Sequence, residues 1–120
     1  MEEDATDWYS VRCIFRAEVN TPWGPFDLEP GESAYEERVT LWRAGTAEEA
    51  IELAEEDAEL YAAQIEVEYL GLAQSCRLAE QPGNGVEVFS LIRKSTLDSR
   101  RYVDAFFSTD TEYQGHIGDT

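Results

Sequence analysis

Tyr9–Val19, YSVRCIFRAEV, alternates without a break: Tyr9, Val11, Cys13, Phe15, Ala17 and Val19 take one parity, and Ser10, Arg12, Ile14, Arg16 and Glu18 the other. Successive side chains of a strand point to opposite faces, so this period of two predicts a strand with one face on the core. Such a strand needs partners for its backbone groups and a layer over its apolar face.

Candidate partners lie on either side of one helical stretch. Asn20–Ser33, NTPWGPFDLEPGES, holds three prolines and two glycines and reads as a surface loop. Tyr35–Arg43, YEERVTLWR, resumes a β pattern and is expected to pair antiparallel with the first strand. Its Val39 and Leu41 take one side, and Arg38, Thr40 and Trp42 the other, which is expected to face outward. Glu66–Leu78 and Val86–Arg93 read as two more strands, joined through the Pro-Gly and Asn-Gly steps of AEQPGNG. Gly71 is a candidate bulge or close backbone approach. Val86–Arg93 is apolar at both parities, as expected of a strand that is central or covered on both faces.

The covering layer is Thr46–Gln64, TAEEAIELAEEDAELYAAQ. Thr46 and Glu49 have the spacing of a capping box, in which each side chain satisfies a backbone N–H at a helix start. At about 100° per residue, Ala47, Ala50, Ile51, Ala54, Ala58, Tyr61, Ala62 and Ile65 gather on one face. Glu48, Glu52, Glu55, Glu56, Glu59 and Glu66 occupy the flank and far side, so much of the acidity is a solvated face. Leu53 and Leu60 do not fit this account, since both are expected opposite the apolar face. Beyond STLD, the helical spacing of Tyr102, Val103, Phe106 and Phe107 predicts a second helix.

The expected fold is α+β: a two-layer sandwich with a mainly antiparallel four-stranded sheet and helices packed on it, in the order β-β-α-β-β-α. A length of 120 residues fits a single domain, with the acidic segment 1–7 and the polar tail 109–120 expected to be loose.

Composition narrows the function classes. Twenty-six acidic residues against nine basic ones, of which only Lys94 is not Arg, leave a net charge of -17. That charge repels phosphate backbones and anionic lipid, so neither nucleic acid nor a membrane is an expected partner. The acidic MEEDATDWYS, where a secretory signal would be basic and then apolar, predicts a cytoplasmic protein. Cys13 and Cys76 fall inside apolar patterns and are expected as buried thiols rather than a disulfide.

Trp8–Arg16 (WYSVRCIFR), Tyr35–Ala58 (YEERVTLWRAGTAEEAIELAEEDA), Glu68–Leu78 (EYLGLAQSCRL) and Glu87–Ser95 (EVFSLIRKS) together resemble the bacterial domain-of-unknown-function family 4288. The resemblance covers most of the chain and implies a small compact bacterial domain. It transfers no catalytic or binding residue, because those stretches are fold-forming patterns without a chemical motif.

No catalytic signature stands out. Cys13, Cys76 and His116 are too few for a closed zinc site, and a nucleophile would need the sole histidine to reach back from the tail. Phosphate-cradling glycine patterns are absent, and no cofactor is expected. The chain therefore reads as a protein-binding domain rather than an enzyme, in the manner of an inhibitor or immunity protein meeting a basic partner. Leu53 and Leu60, with Glu49, Glu52, Glu56 and Asp57, form the candidate contact strip. Repulsion between carboxylate bands makes a monomer the expected state in dilute low-salt buffer, with a weak dimer at high salt. The alternative is an anion- or small-molecule-binding module. It would use Arg12, Arg16, Arg38 and Trp42 on one outward face of the first hairpin, with Trp8 at its end. The simpler account of those arginines is pairing with Glu18 and Glu36. A third reading is an enzyme whose cleft is invisible in sequence.

Overall fold

The computed structural model describes residues 5–18, 21–23 and 28–107. Val19, parts of the first loop, most of the acidic start and the tail with His116 lie outside them. Contacts divide the chain into two compact units, Met1–Ser90 and Leu91–Thr120.

The first unit is an antiparallel sheet with one helix on it. The strands are β1 (Asp7–Ala17), β2 (Ala34–Ala44) and β3 (Glu68–Arg77), in the spatial order β2-β1-β3, with α1 (Ala47–Ile65) between β2 and β3 in the chain. β1 is central, as its alternation requires: Tyr9, Val11, Cys13, Phe15 and Ala17 are all buried. Phe15 is fully enclosed, with the Tyr61 ring of α1 edge-on at 5.0 Å and the Tyr69 ring of β3 tilted at 5.4 Å.

The ends of α1 follow from local chemistry. Thr46 Oγ1 accepts the Glu49 N–H at 3.0 Å, and Glu49 Oε1 reaches back to accept the Gly45 N–H at 2.7 Å. At the other end Glu66 takes a left-handed conformation, φ 61, and its N–H and that of Val67 both donate to the Ala62 carbonyl. Ala50, Ala54, Ala58 and Ala62, spaced by four, are the buried residues of the helix. A methyl-only seam lets the helix axis come close to the sheet, where larger side chains would hold it off.

Three features differ from the sequence expectation. First, three strands form rather than four: Val86–Arg93 joins no ladder among the described residues. The Gly83 carbonyl does accept the Val86 N–H in a turn, yet the segment beyond it runs unpaired. Its apolar residues at both parities mark an extended chain without specifying a partner, because β-propensity mostly reports the surroundings.

Second, the faces of β2 are reversed. Trp42 stands opposite Tyr9, Thr40 opposite Val11 and Arg38 opposite Cys13, so the even residues face the helix, while Tyr35, Val39 and Leu41 are exposed on the open face. A shift of one residue exchanges the two faces of a strand. The register is decided by α1, which offers Asp57 and Tyr61 to the polar residues of β2.

Third, Leu53 is half-buried and packs against the core, whereas Leu60 is 63% exposed. The expected pair of exposed leucines is reduced to one.

Gly71 does mark an irregularity. Cys13 pairs with Ala73 but Phe15 pairs with Tyr69, so Leu70, Gly71 and Leu72 lie against Ile14, and Gly71 has φ 77.

In the second unit Asp98 caps α2 (Ser99–Tyr102) by accepting the Arg101 N–H at 2.9 Å, and a π-helical turn follows over Val103–Phe107. Tyr102 packs on Phe106 at 5.0 Å, and the Arg93 guanidinium lies 4.5 Å above the Phe106 ring.

Two substitutions test this account of α1 by thermal unfolding. Ala58→Leu overfills the seam and is expected to cost about 1–3 kcal/mol. Glu66→Gly removes the left-handed penalty on a side-chain-bearing residue and is expected to raise stability by up to about 1 kcal/mol, a few degrees in Tm.

Candidate functional site

α1 presents three surfaces besides its alanine seam. The flank toward β2 is a polar network. Arg38 pairs with Asp57 at 3.1 Å while its guanidinium stacks 3.9 Å above the Tyr61 ring. The Tyr61 hydroxyl donates to Glu36 at 2.6 Å and accepts from Trp23 Nε1 at 3.4 Å. Half-exposed groups satisfied in this way lock the helix to the strand without burying a lone charge.

The flank toward β3 has one such link, from the Tyr69 hydroxyl to the Glu55 carboxylate. Burial pushes the Tyr69 hydroxyl well above its ordinary pKa, and the accepting Glu55 carboxylate adds to the rise. Cys13, beneath it, is raised by burial, with the nearby Tyr69 hydroxyl opposing. Tyr61 is raised by burial and then by Glu36. Groups held protonated in this way are structural at neutral pH, and Cys13 is a buried thiol rather than a poised nucleophile.

The third surface is the outer face. Glu48, Glu49, Glu52, Glu56 and Glu59 are exposed, with Leu60 beside them. Glu49 is occupied by the cap. Among the described residues, Glu48, Glu52, Glu56 and Glu59 have no cation in contact. The ion pairs run instead from Arg12 to Glu37, Arg16 to Glu18 and Glu68, Arg38 to Asp57, and Arg77 to Asp7.

Of the candidate strip, Glu49, Glu52, Glu56 and Leu60 share this exposed surface. Asp57 and Leu53 turn toward β2 and the core. The Arg/Trp grouping is divided. Arg12 and Arg16 lie on the open face with Trp8, while Arg38 and Trp42 lie on the helix side, because β1 and β2 pair with Arg12 opposite Val39. Arg12 also bonds Gln74 and sits 4.7 Å above the Phe89 ring. Arg16 bonds Ser33 at 3.2 Å. Cys76 is on the open face and only half-buried, not enclosed as its apolar context implied.

Sequence reading passed over Glu55, Tyr61 and Tyr69 as polar partners, and it gave Glu36 to an arginine where the structure gives it to the Tyr61 hydroxyl. The available signal was the strict parity of β1. Any register that aligns the even residues of β2 with Cys13 and Phe15 brings Glu36 and Arg38 beneath Tyr61 and Asp57.

Among the described residues no group of three or more His, Cys, Asp or Glu is placed to hold a metal, and no helix is long and apolar enough to cross a membrane. A shallow cavity of about 320 Å³ lies where the end of β3 meets Gly85–Glu87. It contains neither of the polar networks on the flanks of α1. No protein-family model matches the chain, and neither does any curated protein or solved structure.

The raised groups give stability a definite pH dependence. Cys13, Tyr61 and Tyr69 keep their protons in the folded state to higher pH than in the unfolded chain, where thiols and phenols titrate near ~8.5 and ~10. Above those values the unfolded chain binds fewer protons, so stability falls as pH rises. In urea unfolding, Tyr69→Phe is expected to lose about 1 kcal/mol at pH 7 through the missing hydrogen bond. Its further decline toward pH ~10.5 should be shallower than that of the parent.

Proposed function

We propose that this chain is a cytoplasmic protein-binding domain, of inhibitor or immunity type, whose α1 outer face receives a basic protein. The observation that carries the reading is the row of exposed carboxylates, Glu48, Glu52, Glu56 and Glu59, without cation contacts among the described residues, bordered by the exposed Leu60. Arg12, Arg16 and Arg38 of the first hairpin are each matched with a carboxylate of their own chain. The unmatched charge is thus concentrated on the helix.

Dense like charge accelerates encounter with an opposite surface, and an apolar residue at its margin supplies the desolvated contact that holds a complex. Two free thiols on opposite faces of the sheet suit a reducing compartment. The paired state of Arg12, Arg16 and Arg38 weighs against the anion-binding alternative, since a ligand would have to displace an existing carboxylate.

A titration separates specific docking from general attraction. An amphipathic Lys/Arg-rich helical peptide is added to isotope-labelled protein at low salt, and amide shifts are followed by NMR. Perturbations are expected to map to Glu49–Leu60. Replacing Glu52, Glu56 and Glu59 with Gln is expected to weaken binding at least tenfold, and Leu60→Ser severalfold at unchanged net charge. Binding that is indifferent to Leu60→Ser, with shifts spread over all acidic surfaces, would reduce the attraction to bulk charge and overturn the proposal.

A further inference from the structure

The open edge of β2 carries a second interaction surface. Sheet edges offer unpaired N–H and C=O groups, and proteins blunt them with proline, charged side chains or a bulge. β3 is blunted by its irregularity at Gly71. β2 has neither proline nor bulge, and its four charges cancel: Ala34–Ala44, AYEERVTLWRA, pairs with β1 over eleven consecutive residues without a register shift, and its other edge has no partner among the described residues.

Its charge is also balanced. In a chain of net charge -17, β2 holds two Glu and two Arg and is neutral, so it is a place where a second copy is not repelled. Tyr35, Val39 and Leu41 are 60%, 40% and 38% exposed on its open face.

We infer that β2 pairs antiparallel with β2 of a second copy, about a two-fold axis at Thr40, joining two three-stranded sheets into one of six. Directly opposed residues of an antiparallel pair share a face, so the axis must fall on a residue to keep each helix layer on the same side. With the axis at Thr40, Val39 opposes Leu41 of the second copy, Arg38 opposes Trp42, and Glu37 opposes Arg43, each twice by symmetry. Those are an aliphatic pair, a cation–aromatic pair and an ion pair, formed beside the contacts that Arg38 keeps with Asp57, Glu37 with Arg12 and Arg43 with Thr6. Moving the axis to Val39 sets Glu37 against Leu41 and Glu36 against Trp42. At Arg38 it opposes two like charges, and at Leu41 it sets Val39 against Arg43. Thr40 is the axis at which every central pair is complementary. The outer face of α1 points away from the sheet, so the dimer leaves it exposed, and the two surfaces are independent.

Sedimentation equilibrium on the full chain from about 0.02 to about 1 M NaCl, a range that shortens the screening length severalfold, is the first test. The two chains repel as wholes but match locally, so the mass should double from 13.6 kDa as salt rises. Arg43→Glu and Glu37→Arg each create two like-charge oppositions and are expected to be monomeric alone. Mixed in equal amounts they regain both ion pairs and should form a heterodimer. A Thr40→Cys variant in a Cys76→Ser background should form a disulfide-linked dimer on oxidation, which reports the axis even if either charge variant fails to fold. A wild-type mass that stays monomeric across the salt range overturns the inference. So does a dimer that survives both single charge variants, or a Thr40→Cys variant that does not cross-link.

Discussion

Everything in the first unit depends on how closely α1 approaches β1, and four methyl groups set that distance. Ala50, Ala54, Ala58 and Ala62 bury little area each, so their contribution is proximity rather than transfer energy. Proximity is what lets Phe15 meet Tyr61 and Tyr69 together and remain fully enclosed. A bulkier seam would lift the helix and open a gap around that ring, losing the dispersion contacts on both sides.

The narrow seam also explains the polar flanks. A helix lying close over a central strand leaves its sides above the two neighbouring strands, where water still reaches. Long amphipathic residues suit such positions, keeping their carbon stems dry and their tips paired. Arg38 with Asp57 on one flank and Tyr69 with Glu55 on the other are the two results. Neither grouping resembles a reaction centre, because each charged or polar tip is already consumed in holding helix to sheet.

The parts of this architecture written in local chemistry were readable from sequence: the parity of β1, the Thr46–Glu49 cap, the amphipathic run of α1 and the irregular Gly71. What was not readable is non-local. β2 offers two exposed aliphatics at one parity and a tryptophan at the other, so hydropathy does not choose between its faces, and Asp57 and Tyr61 of the following helix make the choice. Val86–Arg93 looks like a strand by residue type, but a strand exists only where a ladder accepts it. For the candidate surface, the carboxylates of α1 could be placed in advance. The position of Leu53 could not, since it depends on how far the β2 flank folds over the helix.

Gly71 has a consequence for assembly size. With Leu70, Gly71 and Leu72 set against a single residue of β1, the outer edge of β3 lacks an even row of donors and acceptors to template another strand. A sheet of this build can extend from β2 alone, and two copies joined there present only the irregular edges outward. Growth by the edge pairing inferred for β2 would therefore terminate at two. The glycine that interrupts β3 would then act as a chain stopper, separating finite association from the open-ended stacking that leads to fibres.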